Sequence, residues 1–212
     1  MKSVIREILA YLMWMVSKIY PYSLSEKLRG CRDILYTMWV RNFIGHIGKH
    51  TLISYPCELQ DGSKKIVIGE DTIIYSNCII ECWERYIDQY FSPSLKIGNN
   101  CRIGEYTHIT AINNIEIGDG LLTGRFVIIT DHSHGDTSEY DVDIPPAIRK
   151  LKSKGNVVIG NNVWLGDKVS VLSGVNIGDN VIVGANSVVT KNVPSNCVVA
   201  GIPAKIIKQL DS

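Results

Sequence analysis

"VVIGNNVWLGDKVSVLSGVNIGDNVIVGANSVVTKNV", residues 157 to 193, repeats itself every six residues. Counting from Ile159 gives Leu165, Val171, Ile177, Val183 and Val189, all aliphatic. Counting from Val163 gives Val169, Val175, Val181, Ser187 and Val193, aliphatic but for one small serine. A period of six is not helical, and it spans three strand periods. Short strands must therefore alternate with turns. The turns are marked by "IGNN", "LGDK", "IGDN" and "VGAN", whose Gly and Asn tolerate unusual backbone angles. Three hexapeptides close one triangular coil, and stacked coils bury their aliphatic side chains along an axis.

The pattern continues backwards through Ile117-Gly118, Thr123 and Ile129, then Ile97-Gly98, Ile103-Gly104 and Ile109. Before these come Ile68-Gly69, Ile74 and Ile80, and Ile47-Gly48, Ile53 and Leu59. That makes about six coils, a prism roughly 29 Å tall at a strand spacing near 4.8 Å. Cys57, Cys78 and Cys101 fall four residues after an aliphatic anchor, where valine stands in later coils, and are expected to be small buried wedges. The repeat is interrupted at 82–94, at "INN" (112–114) and, longest, after Gly135 as far as Asn156. Loops leaving a rigid solenoid are where function tends to sit.

Ahead of the prism, Ile5, Ile8, Leu9, Leu12, Val16 and Ile19 form a stripe at helical spacing. Leu24, Leu28, Cys31, Leu35 and Met38 form a second after Pro21. Tyr11, Met13 and Trp14 make the other side of the first helix apolar as well. Such a helix is covered by something: the prism, a neighbouring subunit, or an anionic membrane surface. The expected organisation is mainly β, with a helical segment over 1–45, stacked coils over 46–194 with loops at 82–94 and 135–156, and a C-terminal cap or tail over 195–212.

Net charge is +1, which argues against a dedicated nucleic-acid binder. The charge is uneven, however: residues 1–50 carry eight Lys/Arg against three Asp/Glu. No apolar run is long enough to span a membrane. "ILAYLMWMV" lacks a small-residue cleavage site after it and is expected to be retained. The six cysteines show neither metal spacing nor the density of a disulfide framework, which points to reduced thiols in the cytoplasm.

From Gly155 to Lys208, "GNVVIGNNVWLGDKVSVLSGVNIGDNVIVGANSVVTKNVPSNCVVAGIPAKIIK" resembles the hexapeptide-repeat acyltransferases, especially the galactoside, maltose and polysaccharide O-acetyltransferases. The resemblance implies a left-handed parallel β-helix, a homotrimer, and acetyl-CoA as donor in the cleft between neighbouring prisms. The handedness comes from the resemblance alone, since crossovers in general prefer the right hand. The N-terminal helices are more like those of enzymes acting on O-antigen or capsule sugars, which implies a cytoplasmic protein at the inner face of the membrane. N-acetylation of an amino sugar, acetylation of a small molecule such as serine or an antibiotic, and a non-catalytic scaffold are the competing functions.

The pattern breaks at "VIITDHSHGD" (127–136), where two histidines follow a strand. In the family a histidine in a Thr-Gly-His or Thr-Asp-His setting is the general base, which here is His132. A hydroxyl does not ionise usefully at neutral pH, and imidazole is the side chain suited to taking its proton during attack on a thioester. His134 is a candidate for binding the acceptor or for being the base itself. In an extended segment His132 and His134 share a side while Asp131 points away. Asp131 is therefore not expected to orient His132, and it is grouped with His134 and His108 as an acceptor-binding candidate. A zinc site like that of the hexapeptide-repeat carbonic anhydrases would need a His-x4-His pair, and no two histidines are five apart.

By resemblance, Trp164 lies beside the donor cleft. Asp167 stands where the galactoside enzymes have a serine, which puts one hydrogen bond to pantetheine in doubt. Ala185, Thr190 and Lys191 match positions meeting the pantetheine and adenine ends. Lys205 and Lys208 replace arginines near the 3′-phosphate, keeping the charge but losing the bidentate fork. On the acceptor side, Trp83, Tyr86, Tyr90 and Phe91 could stack on a pyranose ring or pack at an interface. The long loop is acidic first (Asp136, Glu139, Asp141, Asp143) and basic later (Arg149, Lys150, Lys152, Lys154).

Overall fold

A computed structural model describes residues 2–60, 62–135 and 143–210. Three sheets form the faces of a left-handed parallel β-helix. Face one stacks His46–Ile47, Ile66–Ile68, Ser94–Ile97, Asn114–Ile117, Val157–Ile159 and Asn176–Ile177. Face two begins Leu52–Ile53, Ile73–Ile74, Arg102–Ile103, Leu122–Thr123, Trp164–Leu165 and Ile182–Val183. Face three stacks Cys57–Leu59, Cys78–Cys82, His108–Ala111, Ile128–Thr130, Ser170–Val171 and Val188–Val189. Each coil adds one strand to every face, giving the six coils that the repeat predicts.

Register explains the core. Ile109 pairs with Ile80 and Ile129, and Ile117 with Ile97 and Ile159, so the anchors stand directly over one another. Ile159, Leu165, Val171, Ile177, Val183 and Val189 are all buried, as are Cys57, Cys78 and Cys101. At roughly 1.5–3 kcal/mol per buried aliphatic side chain, this column stabilises strands too short to persist on their hydrogen bonds alone.

The turn glycines serve a different purpose from the one their backbone freedom suggests. A Cβ on Gly118 would lie 2.8 Å from the carbonyl carbon of Gly160 in the next coil, so glycine is required for the coils to approach. The left-handed residue comes two positions later, as in Asn100, Asn162 and Asn180 (φ 55°, 56° and 57°). Asparagine adopts that region at lower cost than most residues.

Beyond the sixth coil, Cys197–Gly201 extends face two in parallel and Ala204–Gln209 folds back antiparallel upon it. At the other end, helix α1 (Lys2–Ile19) and helix α2 (Tyr22–Val40) precede the first coil. Pro21 separates them, fixing φ where the helix would otherwise continue. Helix α2 docks through Thr37, whose hydroxyl accepts the Ile53 N–H at 2.9 Å, through the Tyr36 hydroxyl donating to the Cys57 carbonyl, and through buried Val40. The stripe formed by Leu24, Leu28, Leu35 and Met38 is exposed, and α1 buries no residue at all. Packing on the prism therefore accounts for the inner face of α2 and not for α1.

Candidate functional site

His132 stands where face three releases the chain. The strand ends at Thr130, and Asp131 opens a bend. Strand alternation therefore does not reach Asp131, and the expectation that it points away from His132 is overturned. Its Oδ1 lies 3.1 Å from His132 Nδ1. Asp131 is fully buried, so its assignment as an acceptor-binding residue is also overturned. The same carboxylate accepts the backbone N–H groups of Ile112 (2.9 Å) and Asn113 (2.8 Å), which explains the interruption at "INN": the previous coil bends to aim two donors at Asp131. From below, the Ser173 hydroxyl donates to the Asp131 carbonyl at 2.6 Å.

A carboxylate oxygen can only accept, so the contact to Asp131 keeps the imidazole proton on Nδ1 and leaves Nε2 with a free lone pair. The His132 side chain is 9% exposed and lines two cavities.

The larger cavity, about 330 Å³, is lined by Glu81, Trp83, Tyr86, His108, Thr110 and His134 among others. Its floor is the outward side of face three, where Glu81 stands in register with Thr110 and Thr130, and His108 with Ile128. Its walls are the two insertions, which lock together. Gln89 exchanges hydrogen bonds with the Leu151 backbone at 2.7 and 3.1 Å, and the Tyr86 hydroxyl donates to the Ala147 carbonyl at 2.6 Å. Ser133–His134 pairs antiparallel with Leu151–Lys152, and the Tyr86 ring meets His134 edge-on with centroids 5.3 Å apart. Trp83 and Tyr86 thus face the cavity. Tyr90 stays out, exposed under the Arg85 guanidinium. Asp136, Glu139 and Asp141 lie outside the described residues.

His108 reaches the cavity as expected, and its Nε2 lies 3.1 Å from Glu81 Oε1. Burial alone would raise the Glu81 carboxyl, but hydrogen bonding led by His108 outweighs it and holds the group below the ordinary carboxylate range. Such a carboxylate stabilises the fold above its ordinary pKa and loses that contribution as the pH falls through the lowered value. Glu81→Gln should therefore melt earlier than the native protein near neutral pH, and the gap should close as acid titrates the native group below about 4.5. Parallel melts across that range check it; a gap that persists in acid would show that the charge is not what the fold uses.

The smaller cavity, about 190 Å³, is lined by His132, Lys154, Leu172, Ser173 and Thr190. Of the donor-side candidates, Thr190 is the one that shares a cavity with His132. Trp164, 49% exposed, lies on face two, and Asp167 and Ala185 follow at the edge toward face three. Lys191 is exposed beside Thr190, and Lys205 and Lys208 are exposed on the last strand, opposite Ala200 and Val198. Asp167 Oδ1 accepts the Arg125 N–H at 2.7 Å and so is already committed to the turn. His46 and His50 belong to the first coil; His50 pairs with Asp71 at 3.3 Å, far along the chain from this site. Among the described residues, no group of three or more His, Cys, Asp or Glu is placed to hold a metal ion.

Over 194 residues the chain is 39% identical to the putative lipopolysaccharide biosynthesis O-acetyl transferase WbbJ of Escherichia coli K12, covering 89% of this chain and 90% of that one. The family model for the bacterial transferase hexapeptide (six repeats) matches residues 156–191. The chain belongs to the hexapeptide-repeat transferase family. Among solved members of this fold, the N-acyltransferase AntD of Bacillus cereus, in complex with dTDP and 3-hydroxybutyryl-CoA, superimposes with a TM-score of 0.68 at 23% identity, covering 83% of this chain and 88% of that one. A hexapeptide-repeat acetyltransferase of Vibrio cholerae complexed with acetyl coenzyme A matches with a TM-score of 0.55 at 25% identity, over 81% and 74% of the two chains.

Within this hexapeptide-repeat transferase, Glu81 escaped the sequence reading. It stands two residues after Ile79 on the outward side of its strand, one coil before Thr110. Counting by coils would have found it, but the 82–94 insertion changes the count between those coils.

Proposed function

We propose that the protein is an acetyl-CoA-dependent O-acetyltransferase acting on a hydroxyl of a saccharide, a unit of a surface polysaccharide, with His132 as general base. The observation that carries this is the position of one imidazole, tied through Nδ1 to a buried carboxylate and lining two cavities at once. The larger is walled by Trp83 and Tyr86 and floored by Glu81 and His108, a mixture of ring faces and hydrogen-bonding groups suited to a sugar. The smaller fits the thioester end of the donor. Trp164, a large ring left half in water, and Lys205 and Lys208 on the same face fit the rest of the coenzyme in a homotrimer, where a second prism covers them.

His132 Nε2 takes the acceptor hydroxyl proton as the oxygen attacks the thioester carbonyl carbon. Asp131 stabilises the imidazolium so formed. As the carbon–sulfur bond breaks, Nε2–H gives the proton to the departing sulfur, and the imidazole returns to its starting state.

The test is acetyl-CoA binding by calorimetry, with thiol release measured against a panel of sugars and amino sugars. Saturable binding and release stimulated by a hydroxyl sugar is the expected result. Stimulation by amino sugars alone would move the reaction to N-acetylation. No binding at millimolar coenzyme would overturn the donor assignment.

A further inference from the structure

Helix α1 is uncovered along its whole length, and its large apolar side chains lie together except for Met13 and Trp14, with Tyr11 at the edge of the group and not on the opposite side. At 100° per residue, Tyr11, Val4, Met15, Ile8, Ile19, Leu12, Ile5, Val16 and Leu9 fill one continuous arc of roughly 160°. Exposure along this arc runs from 42% at Met15 to 82% at Ile19. Lys18 borders one side of the arc and Lys2 the other, with Arg6 beyond Lys2. Trp14 and Tyr11 stack at 5.8 Å near the Lys18 border, and the Lys18 ammonium sits 5.3 Å from the Trp14 ring centre. No described helix is long and apolar enough to cross a membrane.

Helix α2 adds to this surface. Asp33, Tyr36, Thr37 and Val40 hold it to the prism, which turns Leu24, Leu28, Leu35 and Met38 away. Residues 2–41 carry seven Lys/Arg against three Asp/Glu. Bringing several such segments together would set like charges against one another, whereas an anionic surface complements them. We propose that α1 and the outer stripe of α2 dock on an anionic lipid bilayer, with α1 lying in the interface plane, its apolar arc in the acyl region and Lys2, Arg6 and Lys18 at the headgroups. This goes beyond the acetyl-transfer reading and does not depend on it.

The experiment is flotation of the full-length protein with phosphatidylethanolamine/phosphatidylglycerol vesicles and with pure phosphatidylcholine vesicles. The protein should float with the anionic vesicles and remain below the neutral ones. Each of Lys2→Gln and Lys18→Gln should lower partitioning about five-fold. The double variant Ile8→Glu/Leu12→Glu should lower it about ten-fold or more. Because α1 buries no residue against the prism, that variant should keep its melting temperature and its mass by light scattering. Failure of the native protein to float, equal flotation with neutral vesicles, or a change of oligomeric mass in the double variant would overturn the proposal; the last would make a second copy the occupant.

Discussion

Replacing His132 with alanine is expected to lower kcat by about 10²–10⁴-fold, the range over which a positioned general base contributes, while acetyl-CoA affinity is kept. Asp131 keeps its two backbone donors, Ile112 and Asn113, so the bend survives and the melting temperature should change little. The loss should fall on kcat and not on the Kd for the coenzyme, because the imidazole acts on the proton of the acceptor. Two comparisons sharpen the test. His134 Nδ1 lies 3.2 Å from the Tyr86 hydroxyl, so His134→Ala should disturb the acceptor wall and raise KM for the sugar more than it lowers kcat. Added imidazole should restore part of the activity to the His132 variant, since the space left faces both cavities. Normal turnover by His132→Ala would transfer the role of base to His134 or His108.

Asp131→Asn should cost about as much activity by a different route. The carboxylate accepts three hydrogen bonds, two at Oδ1 from Ile112 and His132 and one at Oδ2 from Asn113. An amide offers one oxygen, so its NH₂ must face a donor on whichever side it is placed. A buried donor left without an acceptor costs about 1–3 kcal/mol of stability. With the NH₂ toward His132, the amide donates to Nδ1 and moves the ring proton to Nε2, abolishing the base. In either placement the charge that stabilises the imidazolium is gone. A kcat loss of about 10²–10⁴-fold is expected by analogy with the aspartate of hydrolase triads, with coenzyme affinity retained. Nitrogen-15 shifts of His132 should register the change of tautomer. Unchanged imidazole shifts together with unchanged kcat would mean that the Asp131 contact only holds the bend.

Some of this was legible from residues alone. Burial that recurs every six residues is a local and repeated property, so Ile159 to Val189 specify coils without reference to anything distant, and the register of one coil sets the next. The break at Thr130 marked the stretch holding His132 and His134 for the same reason: a periodic sequence reveals where it stops. The choice of His132 between them came from family resemblance. The handedness of the coil came from family resemblance, because alternation and period are the same for either hand.

Other features are properties of contact between coils and across insertions. Asp131 meets His132 because the backbone bends after Thr130, and a bend removes the alternation by which the sequence placed them apart. Glu81 meets His108 because strands 27 residues apart are stacked by an insertion of irregular length. The wall at Tyr86, Gln89 and Leu151 exists only when two loops about 60 residues apart close on one another. In α2, both the apolar stripe and the prism-facing residues have helical spacing, and the hydrogen bonds of Tyr36 and Thr37 decided which side faces the body. The sequence by itself therefore determined the prism and the place where its pattern opens at two histidines, since repeated burial and its interruption are encoded locally. Tertiary structure decided the hydrogen-bond partners, the acceptor cavity and the uncovered helix face, since each depends on groups that become neighbours only when the coils stack.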